Sequence, residues 1–242
     1  MYNNIRTDLA SNKTKKSIVK FHSNNIELYE YEKNKKLFHT MYFKNIYDED
    51  KIKDFFKNEI LFYFKRFNID RTKHIFIVGL GYVANTADSI GPRSLKYIVV
   101  NSHIYSCFTD FKYPKVSCLE PGVLGTTGIS TFKIIESVTN EIKPDLVILI
   151  DSFVTNKISF LNKAIEINDE GIIPGSGIYG NNREIKKETI NVPVLVIGVP
   201  TALEFKKGDE PPLIISTNDI DEYVIKISKI IGSGLNEIVY NL

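Results

Sequence analysis

The sequence predicts a single α/β domain of three layers, with a central, mostly parallel twisted sheet and helices on both faces. Five short apolar runs rich in β-branched residues follow residue 74, and helical stretches separate several of them. Continuous apolar runs are typical of strands covered on both faces, and alternation with helices favours parallel pairing. The runs are IFIVGL (75–80), VSCL (116–119), LVILI (146–150), AIEIN (164–168) and VLVIGV (194–199).

The chain before these runs divides into a leader and the start of the domain. Residues 1–20 are polar and basic, with four lysines and no acid in NKTKKSIVK (12–20), and we expect a flexible leader there. Residues 21–242 are then expected to form one α/β domain, in which 25–44 supply one or two edge strands. Residues 49–66 predict a helix, because apolar residues recur at helical spacing and acids lead while bases trail. Its apolar stripe is Ile52, Phe55, Phe56, Ile60 and Phe64.

Three further helices are predicted between and after the apolar runs. They cover residues 92–106, 130–142 and 219–231. Pro92 suits a first helical turn, and Pro144 follows the end of the second helix. Gly232 is expected to end the last helix.

Composition limits the class of protein. The formal net charge is only +2, so no strong field predicts binding to nucleic acid. No apolar run approaches the ~18 residues that span a bilayer, and MYNNIRTDLASNKT (1–14) lacks the apolar core of a signal peptide. Cys107 and Cys118 have no disulfide or metal-ligand spacing. We therefore expect a cytoplasmic protein without cofactor or metal, and without direct contact to nucleic acid or membrane.

Two aspartates follow predicted strands and make the most informative pattern. Asp88 lies in the segment GLGYVANTADSIGP (79–92), and Asp151 directly follows LVILI. Sites in open α/β sheets lie beyond the carboxyl ends of the strands, so both side chains are expected at one rim. Each also has a structural interpretation, because Asp151 suits a helix cap and Asp88 a turn. The glycines of 79–92 match a dinucleotide fingerprint only in part, since no helix opens directly after them.

Two carboxylates at one site have a definite chemistry. Held close together, they do not both ionise cheaply, so one retains a proton near neutral pH. The ionised group takes a proton from water, while the neutral group polarises the scissile carbonyl. This arrangement hydrolyses a peptide bond without a nucleophilic side chain or a metal ion.

Glycine-rich loops at 121–128 and 171–177 add backbone N–H groups near the same rim. Glycine permits positive φ and close approach, so these loops suit binding of a peptide backbone or an oxyanion. Tight structural turns are the alternative. The residues expected to bind the substrate backbone are Thr86, Gly125, Thr127, Gly128, Gly175, Ser176 and Gly177.

Together these segments resemble the germination protease family of spore-forming bacteria. The blocks occur in the family's order across roughly residues 74–202. The first is the GLG strand end with its Thr-x-Asp-x-x-Gly-Pro turn, and Asp151 ends a later apolar strand. The other matching segments are 121–129, 171–177, 187–189, 192–194 and 197–201.

The resemblance implies an aspartic-type endopeptidase on a fold shared with hydrogenase-maturation peptidases, with Asp88 and Asp151 as its catalytic pair. It implies a self-processing zymogen, with Asp8 and Leu9 flanking the propeptide cleavage site in RTDLA (6–10). It further implies small acid-soluble spore proteins as substrates at germination, a homotetramer, and a location in the forespore or spore core.

The chain departs from the family at four positions near these segments. Tyr82 replaces an asparagine, Ala87 a proline, Glu120 a small residue and Ile173 often a histidine. Glu120 would add a third carboxylate near the pair and change its titration.

Two other functions remain as interpretations of the same chain, and a third, a serine hydrolase, is set aside. A metal-dependent maturation peptidase on this fold needs a histidine near the site, for which His103 in the predicted core helix is the candidate. A serine hydrolase using Ser176 lacks the G-x-S-x-G spacing. A non-catalytic, protease-derived binding protein is suggested because both ends look shorter than in the family, but retention of both aspartates and of RTDLA (6–10) argues against it.

Overall fold

The computed structural model describes residues 18–22, 25–105, 107, 112–175, 183–205 and 213–242, and gives only the backbone of 18–22. Within these residues nine strands form one sheet, and helices pack against it. The strands are β1 (Ile18–His22), β2 (Ile26–Lys33), β3 (Lys36–Phe43), β4 (His74–Gly79), β5 (Lys115–Leu119), β6 (Leu146–Thr155), β7 (Ala164–Asn168), β8 (Val194–Phe205) and β9 (Leu213–Ile215). The helices are α1 (Glu49–Arg66), α2 (Ile90–Leu95), α3 (Leu124–Thr127), α4 (Thr131–Ile142), α5 (Lys187–Ile190) and α6 (Ile220–Val239).

The sheet is mixed, and the predicted mostly parallel sheet is wrong. Its order is β1-β2-β3-β7-β8-β6-β4-β5, and β9 pairs with the distal end of β8. Parallel pairs join β5 to β4, β4 to β6 and β6 to β8. Antiparallel pairs join β8 to β7, β7 to β3, β3 to β2 and β2 to β1. Only residues 156–163 join β6 to β7, too few for the helical crossover that a parallel strand needs. The turn between β2 and β3 places Asn34 and Lys35 at φ 53° and 64°, as tight hairpins require.

The N-terminal strands lie deeper in the sheet than the sequence suggests. The strands β2 and β3 were expected at an edge, but β1 pairs with the outer side of β2 and β7 with the inner side of β3. The strand β1 begins at Ile18, so the last residues of the predicted leader belong to the sheet. The flexible leader stays a prediction for residues 1–17, which lie outside the described part.

Helices cover both faces of the sheet, as predicted. One apolar core joins α1, α2 and α6 to one face through residues such as Phe56, Ile90 and Ile227. The other joins α4 and α5 to the opposite face through Phe132, Ile190 and their neighbours. Successive strand residues point to opposite faces, so the apolar runs supply both cores at once. The α/β class is therefore confirmed.

The helices α1 and α4 appear where the sequence predicts them. Four residues of the predicted stripe of α1 are buried, together with Tyr63, whose hydroxyl donates to the carbonyl oxygens of Leu37 and Ile167. None of the described helices is both long and apolar enough to cross a lipid bilayer.

The helix predicted at 92–106 is wrong, because α2 ends at Leu95. Beyond Leu95, backbone groups hydrogen-bond to side chains and to the sheet instead of to the preceding helical turn. The buried Asn101 donates to the Pro114 carbonyl and accepts from the Val116 N–H of β5, and the Val99 N–H binds Asn236. These contacts replace the bonds of a continuing helix.

The last helix is longer than predicted, because Gly232 lies inside α6 instead of ending it. A Cβ on Gly232 would lie 2.2 Å from the Ser94 carbonyl oxygen, and one on Gly234 would lie 2.9 Å from the Phe56 ring. Both glycines therefore serve close packing of α6 against α2 and α1.

Candidate active site

The neighbouring strands β4 and β6 set the position of Asp151. The last pair between them is Gly79 with Ile150, and the Leu80 N–H still donates to the Ile150 carbonyl oxygen at 2.8 Å. The strand β6 continues beside β8, where Asp151 pairs with Gly198. Asp151 is thus the first residue of β6 beyond the end of β4, at the carboxyl rim of the parallel strands.

Residues 80–89, the β4 loop, fold tightly over this rim. The Asp88 carbonyl oxygen accepts from the Tyr82 N–H at 3.0 Å, and the Asp88 N–H donates to Asn85 at 2.9 Å. Gly81 has φ +110°, and a Cβ there would lie 2.0 Å from the Asp88 carbonyl oxygen. A Cβ on Gly91 would lie 2.3 Å from the Leu80 oxygen and 2.6 Å from the Ile150 oxygen. These glycines therefore pack the loop against the sheet.

Asp88 and Asp151 line one cleft of about 490 Å³. Asp88 ends a short 3₁₀ turn, Thr86–Asp88, and reaches the cleft from the β4 loop. Asp151 reaches it from β6. The other lining residues are Asn85, Ala87, Ser152, Phe153, Val154, Gly175, Thr201, Ala202, Ile214, Ile215 and Ser216.

The two carboxylates have different surroundings. Burial raises the pKa of the Asp88 carboxyl to about 6, and hydrogen bonding from the Tyr82 backbone opposes this shift only in part. Asp151 is 8% exposed, and its Oδ1 accepts from the Ser152 N–H at 2.9 Å. An N–H donor at this oxygen suits an ionised carboxylate. Asp88 therefore keeps its proton to a higher pH than an exposed aspartate does.

Two hydroxyl groups connect β8 and the residue directly after β9 to the Asp88 turn. Thr201 on β8 donates to the Ala87 carbonyl oxygen at 2.5 Å, and Ser216 donates to the Thr201 carbonyl oxygen at 2.6 Å. No sequence pattern predicted a role for these residues in the site, although Thr201 belongs to one of the family-like segments. Ser216 has no such signal, because only the pairing of β9 with β8 brings it to the cleft.

A buried carboxylate beside the site was also missed. Glu166 on β7 is fully buried, and it shares a row of the sheet with Asp151 because both pair with Gly198. Thr40 and Asn168 lie 3.4 Å from its oxygens. The Phe153 ring covers Gly198 between the two acids, since a Cβ there would lie 2.0 Å from Phe153 Cε2.

Only part of the predicted substrate-binding set lines the cleft. Gly175 does, at φ 68°. Thr86 lies in the Asp88 turn outside the lining, where its carbonyl oxygen accepts from Ser89. Ser176 and Gly177, like Asp8 and Leu9 of the expected cleavage site, lie outside the described residues.

Residues 120–130, the β5 loop, do not reach the cleft lining. They contain Gly125, Thr127 and Gly128, all exposed. The Thr127 hydroxyl donates to the Val123 and Ile129 carbonyl oxygens, and Gly128 ends α3 at φ 69°. Their contact with a substrate stays a prediction.

The four family departures fall in different places. Ala87 lines the cleft, whereas Tyr82 and Ile173 are each 41% exposed and lie outside its lining. Glu120 is exposed and also outside the lining, so the structure does not place the expected third carboxylate beside the pair.

The described residues offer no ligand set for the metal-dependent alternative. Over the described ranges, no three His, Cys, Asp or Glu side chains are grouped in a way that holds a metal ion. His103 was expected in a core helix, but it lies in an exposed turn outside the cleft lining.

Comparison with known proteins points to one family. The profile of the germination protease family matches residues 9–206. Germination proteases of Bacillus licheniformis, Geobacillus sp. (strain WCH70) and Bacillus subtilis (strain 168) are 36%, 33% and 33% identical over 74% of this chain. The match covers 47%, 46% and 47% of those relatives, so it spans about half their length.

A solved structure that aligns with this chain is only weakly similar to it. The metalloproteinase-II of Bacteroides fragilis aligns with a TM-score of 0.21 and 9% identity, over 74% of this chain and 62% of that one. The expected likeness to hydrogenase-maturation peptidases stays a prediction. The sequence match, which covers the β4 loop, Asp151 and Thr201, shows that this chain belongs to the germination protease family.

Proposed function

We propose that the chain is an endopeptidase in which Asp88 and Asp151 activate water against a peptide bond. One observation carries the proposal: two carboxylates, 63 residues apart in the sequence, reach a single cleft, one from the loop after β4 and one from the neighbouring parallel strand β6. Family membership supports a peptidase, and the cleft supplies the groups that the reaction needs.

The different surroundings of the two acids suggest their roles. Protonated Asp88 donates a hydrogen bond to the scissile carbonyl oxygen, while ionised Asp151 takes a proton from the attacking water. When the tetrahedral intermediate collapses, the C–N bond breaks, the proton that Asp151 took from water passes to the leaving amine, and Asp88 keeps or regains its own proton. With its pKa near 6, Asp88 holds its proton in roughly a tenth of molecules at pH 7.

The biological setting of the proposal comes from the family resemblance. The substrates are small acid-soluble spore proteins, degraded in the spore core at germination. The chain is a zymogen that cuts itself between Asp8 and Leu9, and it assembles as a homotetramer. The cleft accommodates the substrate backbone, and Gly175 lies on its wall without a side chain to obstruct it.

Self-processing is the most direct test. The purified full chain is incubated at pH 5.5, and the N-termini of its products are sequenced over time. We expect a new N-terminus at Leu9 in the parent chain and none in Asp151→Asn. Both samples need the same far-ultraviolet circular dichroism, so that loss of folding is excluded.

A second experiment tests whether the chain cuts a separate protein substrate. A small acid-soluble spore protein is added to the parent chain, and its fragments are identified by mass spectrometry. Cleavage after acidic residues supports the proposal. A parent chain that binds the spore protein without cutting it would establish the non-catalytic interpretation, and cleavage that persists in Asp151→Asn would exclude the carboxylate pair.

A further inference from the structure

The strand β7 carries an acidic side chain inside the protein. Glu166, the third of its five residues, is fully buried. Its neighbours Ile165 and Ile167 belong to the core that faces α1 and α6. Because successive strand residues point to opposite faces, Glu166 points to the other face of the sheet. A buried carboxyl group destabilises a fold unless neighbouring groups compensate for the lost water.

Glu166 and Asp151 project from the same row of the sheet. Gly198 of β8 pairs with Asp151 on one side and with Glu166 on the other. Residues that pair directly have their side chains on the same face, so both acids extend over one face. Their backbones are two strand spacings apart, which is roughly 10 Å. Gly198 has no side chain that would separate the two groups.

The Phe153 ring occupies the space above Gly198. A Cβ on Gly198 would lie 2.0 Å from Phe153 Cε2, and Phe153 is only 3% exposed although it lines the cleft. An apolar ring in this gap excludes water, and charges interact more strongly across such a medium than across water. The charge of one acid therefore acts on the other in spite of the distance.

The contacts of Glu166 favour its ionised form. The Thr40 hydroxyl donates to Oε2 and the Asn168 amide donates to Oε1, each at 3.4 Å. Hydrogen bonds to both oxygens stabilise a carboxylate relative to the neutral acid. Thr40 and Asn168 are themselves buried, so both donors are held in the protein interior.

The other titratable side chains around Glu166 differ from Asp151 in their state. Burial first, and then the charges of Glu166 and Glu170, raise the pKa of Tyr31 on β2. Burial first, and nearby carboxylates including Glu166 next, raise the pKa of Tyr63 on α1. Both phenols therefore stay neutral where aspartates titrate, and Glu170 is in an ion pair with a lysine. The acids on the α1 face, Glu59 and Asp169, contact His39 and Arg66.

We propose that Glu166 is a positioning residue of the reaction, whose buried negative charge makes Asp151 a stronger base toward the attacking water. Glu166 itself neither gains nor loses a proton. Proton transfer from water to Asp151 relieves the repulsion between the two carboxylates, so this step becomes more favourable. The proton then passes to the leaving amine. This inference rests on the proposed endopeptidase function.

The first experiment measures the ionisation of Asp151 without requiring cleavage. Aspartates of the full chain are labelled with ¹³C at Cγ, and the Asp151 signal, identified by its loss in Asp151→Asn, is followed by NMR from pH 3 to 8. In Glu166→Gln we expect its titration midpoint to fall by about 0.5 to 1 pH unit, because the neighbouring charge is gone. Asp88 should shift less, since β4 lies on the far side of β6 from β7.

Three further variants serve as controls. Glu166→Met removes the charge with an apolar side chain of similar volume, so it should give the same fall even if the glutamine variant does not fold. Glu166→Asp keeps the charge and should stay close to the parent chain. Glu204→Gln is the matched control, because Glu204 is also buried on β8 but lies six residues beyond Gly198. A midpoint that does not fall in the neutral variants, or that falls equally in Glu204→Gln, would overturn the proposal.

The second experiment measures the pH dependence of cleavage. The substrate is a synthetic peptide of residues 2–15, which contains the Asp8–Leu9 bond. In Glu166→Gln we expect the acidic limb of kcat to move to lower pH by the same amount, and the maximal kcat to fall about two- to tenfold. KM should stay within about twofold, because the buried Glu166 does not touch the substrate. A lowered kcat with an unmoved acidic limb would mean that Glu166 only supports the fold, and the proposal would be rejected.

The experiments separate this inference from the proposed function. If the parent chain cuts the peptide through both aspartates but the midpoint of Asp151 does not depend on Glu166, the function stands and the role of Glu166 is rejected. If the midpoint depends on Glu166 but the peptide is never cut, the coupling of the two acids stands and the endopeptidase assignment is rejected.

Discussion

The β4 loop and the β5 loop follow neighbouring parallel strands, and both carry glycines and family-like motifs, yet they have different structural roles. The β4 loop lines the cleft and holds a carboxyl whose pKa is raised to about 6. The β5 loop is largely exposed, its threonine hydroxyls bind its own backbone, and its residues do not line the cleft.

Strand order explains the difference. The strand β4 lies next to β6, so the loop that follows it meets Asp151, whereas β5 lies at the edge on the far side of β4. The space around the glycines in these two regions differs in the same way. Gly91, in the first turn of α2 directly after the β4 loop, is enclosed by backbone atoms, while a Cβ on Gly125 would meet nothing within 4 Å. A sequence motif thus identifies a loop, but the position of the preceding strand in the sheet determines which residues the loop contacts.

The largest expected contrast is in catalysis. Asp88→Asn should lower the rate of peptide cleavage by about 10²- to 10⁴-fold, because it removes a proton donor at the cleft. Glu120→Gln, the matched change in the β5 loop, should leave the rate within about twofold, since Glu120 is exposed outside the lining. Initial rates on the peptide of residues 2–15 measure both. Equal losses in the two variants would remove the distinction between the loops.

The next contrast is in stability. Gly91→Ala should lower the free energy of unfolding by about 3 kcal/mol, because its methyl group would collide with the backbone of Leu80 and Ile150. Gly125→Ala should be neutral or stabilise by up to about 1 kcal/mol, since it lies in a short helix with open space around it. Urea unfolding monitored by circular dichroism gives both values. A large destabilisation by Gly125→Ala would contradict this explanation.

The activity of the Gly125→Ala variant tests whether the β5 loop contacts the substrate. Its stability is expected to be intact, so a raised KM would show that the β5 loop contacts the substrate, as the family resemblance implies. An unchanged KM would leave the loop a structural turn.

A smaller effect concerns pH. The native pKa of Asp88, about 6, lies above the ordinary value of about 3.8, so its ionised form disfavours the folded state. This destabilisation is complete above pH 6 and disappears as the pH falls toward 4. Asp88→Asn should therefore raise the urea midpoint at pH 7.5 but not at pH 4. An equal gain at both values would mean that burial of the charge is not the cause.

Activity should follow the same ionisation. Since the proposed mechanism needs protonated Asp88, kcat should fall as the pH rises through about 6. A profile flat from pH 5 to 8 would exclude Asp88 as the proton donor.

The smallest effect is expected at the connection between β8 and the β4 loop. Thr201→Val removes the hydroxyl that binds the Ala87 carbonyl oxygen, and it should cost about 1–2 kcal/mol of stability. Thr127→Val, which removes a hydroxyl bound within the exposed β5 loop, should cost less. Urea unfolding of the two variants in parallel compares them, and a reversed order would contradict the assigned roles.

The sequence by itself determined the parts that depend on local pattern. Apolar runs mark the strands β4 to β8, and helical spacing marks α1 and α4, because burial of one face or of both imposes these periods on neighbouring residues. The apolar run before Asp151 also marks the start of β6, although the strand continues through Asp151 to Thr155 instead of ending there. These features need no information from distant parts of the chain.

Only the tertiary structure decided how those parts meet. Strand direction in β7, the end of α2 at Leu95 and the passage of α6 through Gly232 depend on pairing and packing with distant residues. The same holds for the pKa of Asp88, which burial raises, and for the approach of Ser216 and β9 to the cleft. Register and close packing act between residues far apart in sequence, so no local pattern records them.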